Sequence, residues 1–192
     1  SNYSLNGLAL SYVDLGGTDL GLTYPTDVAM CSSVANQAIK LTTELKDDCG
    51  NPITGETVLW SDAGAGGSFT SEADNGDGTY TATYIPADTM PSVAPDFNVS
   101  LRAQWGSFTP KVAVNLIAAP VHDIVIDSIV DVNNAGIFQF ASTVEPRASQ
   151  LGGNSGSSFK IERIDGQDIR VRFHLEDACG NWVFGESANV TP

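Results

Sequence analysis

Apolar and polar residues alternate in short runs along most of the chain, which is the pattern of half-buried β-strands. Segments rich in Gly, Asn, Asp and Pro separate these runs, and no long stretch repeats its apolar residues at helical spacing. The chain is therefore predicted to be all-β. The apolar faces of the clearest runs are formed by Ile39, Leu41 and Leu45; Tyr80, Ala82 and Tyr84; Phe97, Val99, Leu101 and Ala103; and Val112, Val114 and Leu116.

The spacing of these runs predicts an immunoglobulin-like β-sandwich. Counting one strand near Asp27–Val34, about seven strands fall between residues 27 and 119, which is the size and rhythm of such a domain. Trp60 lies on the third of these strands, where antibody-type domains bury a tryptophan, although any large apolar residue would fill the same layer.

A second stretch of the chain repeats the first at an offset of 130 residues. Residues 36–58 and 166–188 align without a gap and share nine identical pairs. Self-similarity at a fixed offset is typical of tandem modules. The identical pairs include Asp47/Asp177, Cys49/Cys179, Gly50/Gly180, Asn51/Asn181, Gly55/Gly185 and Glu56/Glu186.

The repeat divides the chain into an N-terminal strand segment (1–26), an immunoglobulin-like sandwich (27–119) and a second, incomplete module of the same kind (120–192). The second module is expected to include strands at 123–133 and 137–144, but it stops where the first still has about four strands to come. Half a sandwich would expose a hydrophobic face and an open edge. Three explanations stay open: the chain is cut from a longer protein, residues 1–26 complete the second sandwich, or a neighbouring subunit supplies the missing strands.

The stretch ELKDDCGNPITGETVLWS, followed by DNGDGTYTATYIPA, resembles bacterial Ig-like repeats of the invasin/intimin type, and its second piece also resembles the filamin-type hairpin. The resemblance covers about half of the chain and is strongest over residues 36–119. It implies modules that serve as spacers and binding elements in extracellular surface proteins. The matching residues are Asp47, Gly50, Asn51, Pro52, Gly55 and Val58, then Asp77, Gly78, Tyr80, Ala82 and Tyr84.

The function that this resemblance implies is a non-catalytic extracellular module of a bacterial surface protein, acting as a stalk or an adhesive element. Its expected partners are neighbouring Ig-like modules, identical subunits, or a host or surface protein or glycan. The alternative is a self-assembling, pilus-like extracellular fibre in which a strand of one subunit completes the sandwich of its neighbour.

Charge and motifs exclude several other functions. The chain has 23 Asp and Glu against 9 Lys and Arg, a net charge of −14, which disfavours nucleic acid because phosphate binding needs a basic surface. No run approaches the ~20 apolar residues of a membrane span. No established catalytic motif is present, so no catalytic residue is assigned and the chain is predicted not to be an enzyme. His174 is predicted to be an exposed strand residue, because the apolar Phe173 and Leu175 occupy the opposite face.

The three cysteines, Cys31, Cys49 and Cys179, are candidates for one disulfide plus one free or intermolecular thiol, which fits an oxidising exterior. A bond between Cys49 and Cys179 would need the two repeated turns to meet, and a bond between Cys31 and Cys49 would need a wide loop at residues 32–37. The alternative is three small buried apolar side chains.

Acidic turns are the candidate cation sites, and calcium is the ion considered for them, because it takes oxygen ligands. Asp74 and Asp77 share a turn that lacks the spacing of an EF-hand, and Asp123 opens a strand whose face also carries Asp127 and Asp131. A solvated acidic face explains the same residues without a metal. No other cofactor is predicted.

Overall fold

The computed structural model of the chain describes residues 3–13, 15–16, 18–20, 27–131 and 169–187. Nearly all of its regular structure is β-strand, so the all-β prediction is confirmed. The chain divides into two compact units, Ser1–Ala119 and Pro120–Pro192, and each is described by itself.

Eight strands of the first unit lie in the described residues, and a short helix, α1 (Ser32–Ala35), stands between the second and third. They form two four-stranded sheets, in the orders β1-β3-β6-β5 and β2-β8-β7-β4. These are the A-B-E-D and G-F-C orders of an immunoglobulin-type sandwich, with β2 added in parallel beside β8. The strands are β1 (Tyr3–Val13), β2 (Val28–Ala29), β3 (Ala38–Asp47), β4 (Leu59–Ser61), β5 (Ser68–Asp74), β6 (Thr79–Ile85), β7 (Asp96–Gln104) and β8 (Lys111–Ile117).

The core of the first unit lies between the two sheets because successive side chains of a strand point to opposite faces. On β6, Tyr80, Ala82 and Tyr84 are buried while the threonines between them are half-buried. Trp60 is half-buried on β4 and packs against both hydrophobic clusters of this unit. The larger cluster draws on both sheets and contains Tyr12, Val28, Met30, Ile39, Leu41, Tyr84, Val99, Leu101, Val114 and Leu116.

The N-terminal strand belongs to the first sandwich. Strand β1 pairs antiparallel with β3, from Tyr3 opposite Asp47 to Val13 opposite Ala38. Two of the explanations left open by the sequence use residues 1–26 to complete a second sandwich or a neighbouring subunit. In the structure, residues 3–13 pair within the first unit's own sheet. Pairing partners far apart in sequence are set by the whole fold, which local alternation does not report.

In the described residues, the second unit contains one antiparallel pair, β9 (Asp123–Asp131) with β10 (Ile169–Glu176). The predicted strand at 137–144 lies outside the described residues. The β9–β10 register shifts between Arg172 and Phe173, and the β1–β3 register shifts opposite the stretch from Thr42 to Glu44, which is the equivalent place 130 residues earlier.

Gly78 gives a first testable prediction. Its φ of +86° is unfavourable for other residues, and an added Cβ would lie 2.6 Å from the Cβ of Pro52. We expect Gly78→Ala to lower the free energy of unfolding by about 3 kcal/mol, through backbone strain together with overpacking.

Gly50→Ala is the matched control, to be measured by urea unfolding beside Gly78→Ala. Gly50 has a φ of +82° and nothing within 4 Å of its added Cβ, so the cost there is strain alone, about 1 kcal/mol. Equal losses for the two variants would mean that contact with Pro52 does not constrain Gly78.

Candidate functional site

The repeated sequence Asp-x-Cys-Gly-Asn forms a turn built around its first side chain. We call residues 47–53 the first turn and residues 177–183 the second turn. In the first turn, Asp47 Oδ1 accepts hydrogen bonds from the backbone N–H of Cys49 (2.9 Å) and of Asn51 (2.8 Å), and Oδ2 accepts one from Asn51 Nδ2 (2.9 Å). These bonds, that of the Asn51 side chain above all, lower the pKa of Asp47 because they favour its charged form.

The second turn repeats these hydrogen bonds. Asp177 Oδ1 accepts from the N–H of Cys179 and of Asn181, both at 2.9 Å, and Oδ2 accepts from Asn181 Nδ2 at 2.9 Å. The surroundings differ, however, since Asp177 and Asn181 are buried whereas Asn51 is exposed. One local geometry therefore occurs once at the surface and once in a buried setting.

The cysteines of the two turns are in different chemical states. Cys179 is disulfide-bonded, as is Cys31, which confirms the prediction of a disulfide. Cys49 is an exposed free thiol, so both pairings weighed from the sequence, each of which uses Cys49, are wrong for this chain. Cys49 is exposed and Cys179 is half-buried, a difference that the shared Asp-x-Cys-Gly-Asn motif does not reveal.

Cys31 is held at the start of α1. It is fully buried, and its backbone has a φ of 61°, an uncommon value for a residue other than glycine. The next residue, Ser32, donates hydrogen bonds from its N–H (3.1 Å) and its hydroxyl (3.2 Å) to Asp88 Oδ1. These contacts position the chain just ahead of β3, the strand that leads into the first turn.

The second unit places a histidine between two carboxylates. His174 Nδ1 lies 2.7 Å from Asp127 Oδ1, and its Nε2 lies 3.0 Å from Glu176 Oε1. Its ring stacks on Trp182 with 4.1 Å between centroids. The side chain is only 10% exposed, so the prediction of an exposed His174 is wrong. The alternation of β10 predicts which face of the strand carries His174. The groups that cover its side chain come from β9 and from the second turn.

A cleft of about 220 Å³ opens in the first unit between β4 and β5, which are edge strands of opposite sheets. Trp60 and Tyr80 give it aromatic surface, and Glu56, Glu72 and Asp74 give it negative charge. Negative charge beside aromatic faces suits a positively charged group. Four of these five residues, all except Glu72, are named from the sequence, but no sequence pattern brings them together.

The three calcium candidates fall in two places. Asp74 Oδ2 accepts from the N–H of Gly55 and its Oδ1 from that of Gly76 (2.8 Å), and Asp77 Oδ1 accepts from the N–H (2.9 Å) and hydroxyl (2.6 Å) of Thr79. The hydroxyl bond, then the N–H bond, lowers the pKa of Asp77. Asp123 belongs to the second unit, where it is 8% exposed. Calcium binding at Asp74, Asp77 or Asp123 stays a prediction.

No family model, curated protein or solved structure matches this chain. The resemblance to bacterial Ig-like repeats therefore stays a prediction. Within the part of the chain that the structure describes, no helix has the length and apolar composition needed to cross a membrane.

The histidine cluster predicts a pH dependence. Burial acts to lower the pKa of His174, but the hydrogen bonds to Glu176 and Asp127 outweigh it, and the pKa is raised above its ordinary value of 6.5. A group whose pKa is higher in the folded state than in the unfolded state stabilises the fold. This contribution is present in full at pH values below the unfolded-state pKa. We expect this contribution to be lost as pH rises through the folded pKa of His174.

An NMR pH titration of the His174 imidazole resonances measures this effect. Asp127→Asn removes one carboxylate and should move the His174 midpoint down towards 6.5. A His174 midpoint below 6.5 in the unchanged chain would contradict the assigned contacts.

The two turns also predict a ranking of stability losses. Asp177→Ala leaves buried donors without their acceptor, so we expect it to lower the free energy of unfolding by about 2–4 kcal/mol. Asp47→Ala should cost less, because water can replace the carboxylate at the exposed first turn. Urea unfolding of both variants tests the order, and a larger loss for Asp47→Ala would refute it.

Proposed function

We propose that this chain is a stretch of non-catalytic, extracellular Ig-like modules that forms a stalk or adhesive element of a bacterial surface protein. The observation that carries the proposal is that the two turns have the same hydrogen bonds 130 residues apart. The strand pairs that precede them, β1–β3 and β9–β10, also shift register at equivalent places. Tandem duplication of one module produces such a pattern.

The extracellular location is supported by the cysteines. Cys31 and Cys179 are disulfide-bonded, and disulfides form and persist in oxidising compartments. The net charge of −14 suits a solvated surface protein but is not specific to one.

A stalk must carry tension, and the first unit has a strand pair suited to that load. Strands β2 and β8 run parallel, and the N–H of Met30, which follows β2, donates to the carbonyl of Ile117 at the end of β8 (2.8 Å). A pull towards the N-terminus on β2 and towards the C-terminus on β8 slides these strands lengthwise. Their hydrogen bonds are then loaded together instead of one after another.

An adhesive role would use the cleft between β4 and β5. Its three carboxylates and two aromatic rings favour a cationic side chain of a partner protein over an anionic ligand. The alternative of a fibre built by donated strands is less supported, because β1 already pairs with β3 of the same chain.

Single-molecule stretching of the full chain, in reductant so that no disulfide carries the load, tests the stalk proposal. Met30→Pro removes the N–H that bonds to Ile117, while Met30→Ala removes the same core side chain but keeps that N–H. We expect the first unit of Met30→Pro to unfold at a clearly lower force than that of Met30→Ala. Equal unfolding forces, or extension without a force peak in the unchanged chain, would argue against a load-bearing role.

A further inference from the structure

We infer that His174 is a proton-operated switch on the pairing of β9 with β10. Loss of the proton on Nδ1 releases Asp127 of β9, while the proton on Nε2 keeps the bond to Glu176 of β10. These contacts lie within the second unit, so the switch does not depend on the tandem-module function proposed above.

A β-bulge brings Asp127 to the ring. Ile126 and Ser128 each pair with a residue of β10, whereas Asp127 between them is skipped in the register. The extra residue of a bulge leaves the ladder, and its side chain is aimed in a new direction. Here Asp127 Oδ1 lies 2.7 Å from His174 Nδ1. A side-chain bond therefore joins the two strands at the point where their backbone ladder is interrupted.

Both ring nitrogens of His174 face carboxylates, which is the arrangement of a charged imidazolium. Nε2 lies 3.0 Å from Glu176 Oε1, and the two nitrogens can donate together only when both carry a proton. The neutral ring has one N–H and one lone pair, so it donates to one carboxylate and repels the other. Burial acts to lower the pKa of His174, but the two hydrogen bonds raise it above 6.5, so the change of state falls above that pH.

The exposure of the two carboxylates decides which bond the neutral ring keeps. The Glu176 side chain is 7% exposed, whereas that of Asp127 is 37% exposed. Water can solvate the Asp127 carboxylate, but a buried carboxylate that gives up a donor loses more free energy. Trp182 stacks on the imidazole in the second turn and holds the ring in place. The bond that is given up is therefore the one between the strands.

The other charged groups around the ring, in the described part of the second unit, have different contacts. Arg172 shares the face of β10 with His174 and is exposed. Asp177 accepts the hydrogen bonds that hold the second turn. On β9, Asp123 lies 3.1 Å from His122 Nδ1. The two carboxylates already described thus govern the proton on the ring.

The first unit has an ion pair of fixed charge at the equivalent place. Glu44 and Lys46 stand 130 residues before His174 and Glu176, and Lys46 Nζ lies 2.7 Å from Glu44 Oε1. Neither of these residue types ordinarily changes its charge near neutral pH. Strand β1 contains no aspartate, glutamate or histidine. We therefore expect the pH response in the second unit and not around Glu44.

Nitrogen NMR of the full chain with labelled histidines tests the position of the proton, because it distinguishes protonated from unprotonated ring nitrogens. Above the His174 midpoint, we expect the unchanged chain to keep Nε2–H and to lose Nδ1–H. Glu176→Gln leaves Asp127 as the charged acceptor, so its neutral ring should keep Nδ1–H instead. Asp127→Asn is the matched variant and should keep Nε2–H. Nδ1–H in the neutral ring of the unchanged chain, or one tautomer in both variants, would overturn the inference.

Hydrogen exchange of backbone amides measures the effect on the strands, as protection relative to an unstructured peptide at the same pH. In the unchanged chain, protection of the amides that flank Asp127 should fall several-fold as pH rises through the His174 midpoint. Glu176→Gln should show no such fall through its own midpoint, because its ring keeps the bond to Asp127. The amides around Glu44 are the control within the same chain. Constant protection beside Asp127 in the unchanged chain would refute the switch, whether or not a variant folds.

Discussion

The path of the chain between the two sheets of the first unit depends on one carboxylate. Asp47 ends β3, and its side chain holds the first turn so that the N–H of Ile53 donates back to the carbonyl of Leu45 (3.0 Å). Tyr80 of β6 then donates its hydroxyl to the carbonyl of Ile53 (2.9 Å). Because β4 belongs to the opposite sheet, the turn determines where the chain crosses the sandwich.

Carboxylates used in this way also account for part of the acidic composition. A short acidic side chain that accepts nearby N–H groups competes well with regular structure and so favours turns. Acidic side chains accept bonds from the backbone at several turns, which shows that clusters of aspartate in this chain have a structural role independent of any ion. The aspartates that do so are Asp47, Asp62, Asp74, Asp77 and Asp177.

Local sequence patterns predict individual strands of this fold, but they do not predict which strands pair. The alternation of Tyr80, Ala82 and Tyr84 places β6 correctly because strand periodicity is a property of the backbone itself. The pairing of β1 with β3 is different, since its partners are 44 residues apart at Tyr3 and Asp47. Which strands meet is decided by the joint burial of all faces, and no single run of sequence records it.

The candidate site shows the same division between local geometry and environment. The repeated residues are sufficient to predict two like turns, because the aspartate, glycine and asparagine that form each turn are adjacent in sequence. They do not predict that Asp177 is fully buried, or that one turn cysteine is bonded and the other free. Reactivity of a thiol depends on its access and its neighbours. Two copies of one motif can therefore share their turn hydrogen bonds while their cysteines differ in chemical state.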